Sequence, residues 1–174
     1  MKKQLLSILV LCCFALLTTN SFAQRFAYVD TKYILEKLPD YKSAQIKLDD
    51  QAKAWQAEID QKNEALKKMY TKYQAEEFLL SEDMKKQREE DIIKAENELK
   101  DLQKSRFGVN GDLFKKRQEL IQPIQDKVFD AIQKLAENRQ YDFVFDKASG
   151  GSAILYSNPK LDLSEEILKR LGVN

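Results

Sequence analysis

Between Tyr41 and Arg139 the apolar residues recur on a seven-residue period. One row runs Ala52, Ile59, Leu66 and Tyr73; a second runs Leu48, Trp55, Lys62 and Met69, with one polar interruption. Further on, Ile92, Leu99, Arg106, Leu113 and Leu120 form one row, and Ala95, Leu102 and Val109 the other. Such a period keeps a narrow apolar stripe facing a partner helix while charged side chains stay in water. The halves are separated by Phe78-Leu79-Leu80-Ser81-Glu82-Asp83. Ser81 suits an N-cap, and Glu82 and Asp83 suit the positive end of a new helix. The pattern predicts a helix over about 40–79, a tight turn near 79–82 and a return helix over about 82–139. An antiparallel hairpin then satisfies both stripes within one chain; a straight parallel coiled coil through the turn is the rival.

Two places disturb the return helix. Phe107-Gly108-Val109-Asn110-Gly111 carries two glycines, yet Val109 and Leu113 keep the heptad rows. The expectation is a weakened, flexible point in a continuing helix. Each Gly there costs about 1 kcal/mol relative to Ala, so changing both to Ala is expected to stabilise the hairpin. Pro123 removes an amide donor and crowds the carbonyl four residues earlier, which should kink the helix near Glu119. Gly108, Gly111 and Pro123 are therefore hinge candidates. Beyond the proline, Ile124, Val128, Ala131, Ile132 and Leu135 form a wider apolar face, as packing on a sheet requires.

The chain ends read as that sheet. Arg25 to Val29 is aromatic and β-branched, and Asp30-Thr31 can cap a short helix ending before Pro39. Tyr141 to Asp146 and Ala153 to Tyr156 read as two further strands joined by Ser149-Gly150-Gly151. Asp162-Leu163-Ser164 opens a last short helix, with Glu165 and Glu166 in its first turn and Lys169 and Arg170 at its end. Residues 24–39 and 140–174 thus make a β-rich body, and 40–139 the helical hairpin. So small a body buries too little surface to be comfortable alone, and its open sheet edges are expected to close by oligomerisation. Phe26, Tyr28, Val29, Phe143, Val144, Phe145 and Ile154 are the residues expected to carry that association.

The first residues change the compartment. Lys2 and Lys3 precede an apolar run from Leu5 to Leu17, and Ser21-Phe22-Ala23 offers small residues at a cleavage site. This is the pattern of a secretory signal peptide over 1–23, too short to span a bilayer, with cleavage expected after Ala23. Cys12 and Cys13 leave with it, and neither follows a small residue, so lipidation is not expected. The chain has no histidine. Without His or a mature Cys, the usual general base, activated thiol and zinc ligands are absent. No phosphate-binding glycine loop or nucleophile elbow occurs, so no catalytic, cofactor or metal residue is nominated. Without Lys2 and Lys3 the mature chain has a net charge of −1, and so even a balance argues against nucleic acid as a partner; residues 40–139 hold 20 Lys and Arg against 21 Asp and Glu. One local band stands out, Lys104, Arg106, Lys115, Lys116 and Arg117 against Asp112.

Together, the signal peptide, Phe26-Ala27-Tyr28-Val29-Asp30 with Ile34-Leu35, and the Ser81-Glu82 turn resemble the Skp/OmpH family of periplasmic chaperones. So do Gln118 to Ile124, Tyr141 to Asp146, and Tyr156-Ser157-Asn158-Pro159 running on to Leu163, in order and spacing. The resemblance implies a mainly α fold with a small β body closed into a barrel by trimerisation, the hairpins standing as tentacles around a cavity. It implies an ATP-independent holdase for unfolded outer-membrane proteins, with no enzyme activity, no cofactor and at most a transient contact with the membrane surface. The best-known members have basic tentacles; this hairpin is nearly neutral, so a lipopolysaccharide-binding role is not carried over. Apolar residues spare to the seam are the candidates for gripping a client: Tyr70, Phe78, Leu79, Leu80 and Phe107. A structural envelope scaffold with one dedicated partner is the alternative from a different class.

Overall fold

A computed structural model of the chain describes residues 24–150 and 154–173. Strand β1 (Phe26–Val29) leads into helix α1 (Thr31–Lys37), started by Asp30, whose carboxylate accepts a 2.9 Å hydrogen bond from the Tyr33 amide. Leu38 is extended, as a residue before proline tends to be, and Pro39 opens α2 at a position where its missing N–H costs nothing. Helix α2 (Pro39–Glu76) has 38 residues, roughly 57 Å of rise. A single 3-10 turn (Glu77–Leu79) and an extended Leu80 reverse the chain. Ser81 then caps α3 (Glu82–Phe107), its hydroxyl accepting from the Met84 amide at 3.4 Å.

The return limb departs from expectation at the glycines. It is two helices, α3 and α4 (Asp112–Arg139), separated by a turn over 108–111. Gly108 and Gly111 both have extended backbones, and the Gly111 amide donates to the Gly108 carbonyl at 2.9 Å. Val109, placed on a heptad row by the sequence, is 91% exposed. The reason for glycine is close approach of the backbone to itself. A Cβ on Gly108 would overlap the Lys104 carbonyl oxygen, and one on Gly111 would sit 2.8 Å from that of Ser105. The geometry thus opposes alanine at these positions, against the expectation from propensity. Helix α4 continues through Pro123 and ends where Gln140 adopts the left-handed conformation (φ 55°). The Tyr141 amide then reaches back to the Ala136 carbonyl at 3.0 Å, closing the helix end.

The hairpin is antiparallel. Cross-seam pairs run in opposite directions along α2 and the return limb: Glu58 with Arg106, Lys62 with Glu98, Tyr70 with Glu96 and Tyr73 with Glu89. The distal seam is thin, with Ile59, Ile92 and Leu99 its buried residues and Lys62 left in solvent.

Strand β2 (Phe143–Asp146) pairs in parallel with β1, Phe26 opposite Phe143 and Val29 opposite Asp146, so the whole hairpin is the crossover between them. The other edge of β1 is taken by Asp162, which bridges to Tyr28, and by the Leu163 amide, which donates to the Tyr28 carbonyl at 2.9 Å. This corrects the three-strand expectation. Ile154, Leu155 and Tyr156 form no strand among the described residues, and the place beside β1 is taken by Asp162 and Leu163; Ala153 lies outside the described residues. Helix α5 (Ser164–Arg170) covers the base. One core joins Ala27 and Val29 to Ile34 and Leu38, to Ala44 and Leu48 of α2, to Ile121, Ile124, Val128 and Leu135 of α4, and to Leu163, Ile167 and Leu168. The wide apolar face beyond Pro123 is thus used as its pattern required.

Candidate functional site

The reversal between α2 and α3 is too short to turn all of its apolar side chains back onto the seam, and the structure divides the three consecutive candidates there. Phe78 and Leu79 point outward, 80% and 72% exposed. Leu80 turns inward to line a small cavity of about 50 Å³ with Met69, Tyr73 and Ile92. Just beyond, Met84 is 52% exposed in the first turn of α3. Tyr70 keeps its ring half in solvent while its hydroxyl donates to Glu96 of the facing helix. Phe107 ends α3 beside the glycine break, partly exposed. The five sequence candidates therefore do not form one patch: two sit at the tip, one under it, one on the seam flank and one at the break.

Sequence reasoning missed further exposed apolar residues on the arm and its base, Ile46, Ile93, Phe114 and Phe129 among them. A signal existed for Ile93. It is adjacent to the seam residue Ile92, and neighbours on a helix cannot both face the same partner.

Below the tip, tyrosines tie the two limbs. The Tyr73 hydroxyl donates to Glu89 at 2.5 Å, and that bond to a carboxylate, followed by partial desolvation, pushes its pKa up to about 12. The Tyr70 pKa is raised in the same way by its bond to Glu96. At the break, Arg106 occupies a seam position, donating to Asp112 at 2.7 Å and to Glu58 at 3.3 Å with its guanidinium over the Trp55 ring. The basic band is partly answered within the chain, because Lys115 also approaches Asp112 and Lys116 pairs with Glu119.

The body carries the second exposed apolar surface. Alternation along the strands sends Ala27, Val29 and Val144 toward the core. Phe26, Phe143 and Phe145 emerge on the opposite face, their rings stacked with centroids 5.7 to 6.3 Å apart and about half exposed. Tyr28 is buried beneath the Asp162 bridge, and Ile154 is half-buried. Leu155 and Tyr156 beyond it are 100% and 83% exposed. Among the described residues no group of three or more carboxylates gathers as a metal site, and no helix is long and apolar enough to cross a membrane.

The family model described as outer membrane protein (OmpH-like) matches residues 25–171 of this chain. The chain belongs to the OmpH-like family. An uncharacterised protein of Aquifex aeolicus (strain VF5) is 31% identical over 161 residues, covering 91% of this chain and 94% of the relative. Among solved structures, an OmpH-like protein of Caulobacter crescentus CB15, described as a candidate outer membrane chaperone, superposes with a TM-score of 0.69. That match covers 88% of this chain and 87% of the other at 14% identity, a likeness of fold alone. The OmpH-like architecture is thus a thin two-helix arm carried on a small packed base.

Proposed function

We propose that this OmpH-like chain is an ATP-independent periplasmic holdase that grips unfolded outer-membrane proteins between the arms of three assembled copies. The observation that carries the reading is the arm tip, where the adjacent Phe78 and Leu79 stand 80% and 72% exposed, with Met84 just beyond at 52%. Single exposed apolar residues are ordinary on a protein surface, whereas neighbouring ones that form a patch mark places where something is bound. An unfolded β-barrel chain presents apolar strands that aggregate through edges and hydrophobic surface. Weak contacts spread over Phe78, Leu79, Tyr70 and Phe107, with Leu80 shaping the turn beneath, hold such a chain without locking it and release it without a nucleotide.

The family membership and the fold shared with the Caulobacter protein support the chaperone reading. Assembly is supported by the stacked Phe26, Phe143 and Phe145 face and by the outer edge of β2, which pairs with nothing among the described residues, since exposed edges and aromatic faces are normally covered. Export rests on the leader over 1–23, which lies outside the described residues.

The test is direct. Mature protein beginning at Gln24 is mixed with a urea-denatured outer-membrane barrel, diluted, and followed by light scattering with and without ATP. Suppressed scattering, indifferent to ATP, EDTA and thiol reagents, is expected. Unsuppressed scattering at stoichiometric arm concentrations rejects the holdase and leaves the scaffold reading.

A further inference from the structure

The glycine break cuts the return limb into two helices that pack on the same long partner, and the backbone across it is held by few bonds. Gly108 donates to Lys104, Gly111 to Gly108 and Lys115 to Gly111, each at 2.9 to 3.1 Å. All of these are local to the return limb. They fix the shape of the turn and do nothing to set how the distal helix sits on α2.

Lys62, Tyr70 and Tyr73 tie α2 to α3 farther along the arm, and one side chain ties the break itself to both α2 and α4. From the last turn of α3, Arg106 sends one arm of its guanidinium across the break to Asp112, the first residue of α4, at 2.7 Å. The other arm reaches Glu58 on α2 at 3.3 Å. The same group lies over the ring of Trp55, 5.1 Å from its centroid. Trp55 and Glu58 are three residues apart, so they share one face of α2. Only a planar, two-armed cation can meet a carboxylate on each side and an aromatic face at once. Lysine is a point charge and cannot.

The position makes the arrangement unusual. Arg106 stands in the heptad row between Leu99 and Leu113, where an apolar residue would pack more cheaply. Its side chain is only 28% exposed. A polar group at a seam position specifies one arrangement of helices at a cost in stability. Sliding the distal helix by one heptad would set Arg106 beside Leu48 and Gln51, or beside Lys62 and Ala65, and either loses the carboxylate. The apolar rows alone make no such distinction.

We propose that Arg106 is a positioning residue that pins the break, holding the distal arm at one angle and register to the base through Asp112, Glu58 and Trp55. The inference concerns the geometry of the arm and stands whether or not the arm holds clients. Spin labels on the exposed positions Lys94→Cys and Gln118→Cys, in the full mature chain diluted with unlabelled protein, report the distance across the break. A single narrow distribution is expected for the parent. Arg106→Leu should at least double its width while leaving the thermal midpoint unchanged or higher, because an apolar side chain suits the seam. Arg106→Lys, which keeps the charge, should also broaden it; Lys104→Leu, on the same turn but outside the pin, should not. A parent-like narrow distribution in a fully helical Arg106→Leu variant overturns the proposal. Should that variant lose helicity, Glu58→Gln with Asp112→Asn tests the same contacts without changing shape: broadening supports the pin and a narrow distribution rejects it.

Discussion

The Tyr73 hydroxyl lies 2.5 Å from a Glu89 carboxylate oxygen, joining α2 to α3 close to the turn where the seam is thinnest. The folded tyrosine has its pKa pushed up to about 12, above the ordinary value of 10. A group whose pKa is raised by folding contributes stability that is complete below its unfolded pKa and is lost as pH climbs through the folded one. Helicity of the distal arm, followed by circular dichroism, should therefore hold up to about pH 10 and fall between there and about 12. Tyr73→Phe should flatten part of that fall. An identical alkaline profile in the variant would remove Tyr73 from the account.

Alanine at the glycine break should destabilise, against simple propensity. Helix preference favours Ala over Gly by about 1 kcal/mol per position. Here, however, the added methyl on Gly108 meets the Lys104 carbonyl, and that on Gly111 meets those of Ser105 and Arg106. Forcing extra atoms into a packed site typically costs about 1–3 kcal/mol. The thermal midpoint of the Gly108→Ala, Gly111→Ala chain should fall. A rise would mean that the chain prefers a continuous helix through the break.

Gln140 offers the opposite case. It is the one non-glycine residue with positive φ among those described, and it ends α4 in the left-handed conformation. That conformation costs an L-residue roughly 1–2 kcal/mol. Gln140→Gly should therefore stabilise the base by a fraction of that, since glycine also gives the unfolded chain more freedom to lose. Chemical denaturation with an unchanged slope and a higher midpoint is the expected record.

Tip and core should separate function from stability. Phe78→Ser with Leu79→Ser removes side chains that touch little, so stability should change by less than about 0.5 kcal/mol while holding of a denatured barrel falls several-fold. Leu135→Ala, at a fully buried position, should cost about 2–5 kcal/mol. If the tip double variant holds clients as well as the parent, the tip is not the gripping surface.

What the sequence made legible follows the range of the forces involved. Heptad rows through Ile59, Leu66, Ile92 and Leu99 act over seven residues and are repeated, so the hairpin, its antiparallel sense and the Ser81 cap could be read directly. The short helix after Asp30 and the wide face beyond Pro123 were legible for the same reason. The break was not, because propensity counts a glycine's cost residue by residue and cannot see the carbonyls a methyl would strike. The strand expected at 153–156 is not formed at 154–156, because its pattern says nothing of which segment takes the free edge of β1, and Asp162 takes it. Phe78, Leu79 and Leu80 look alike in sequence, and only the path of the turn sends Leu80 inward. Arg106 showed as an interruption in an apolar row and one cation in a band. Its partners Glu58 and Trp55 are about fifty residues away, beyond any local reading.

The aromatic face of the sheet should govern assembly without governing the fold of one chain. Phe26, Phe143 and Phe145 stack on one another and stay about half exposed, whereas Val29 and Val144 on the other face meet the core. Replacing exposed rings removes little buried area within the chain, so Phe143→Ser with Phe145→Ser should keep its helicity. If three copies close the small sheet through this face, the same change removes the apolar surface that drives association. Sedimentation equilibrium should then give three chain masses for the parent at micromolar concentration and a smaller species for the variant. Val144→Asp makes the contrasting case: it places a charge toward the core without a partner, so it should lower helicity as well as mass. A parent that sediments as a folded single chain would refute the trimer. A variant that remains trimeric would move the interface to the exposed Leu155 and Tyr156 or to the groove beside Phe129, where Leu35 and Ile132 form an apolar wall between α1 and α4.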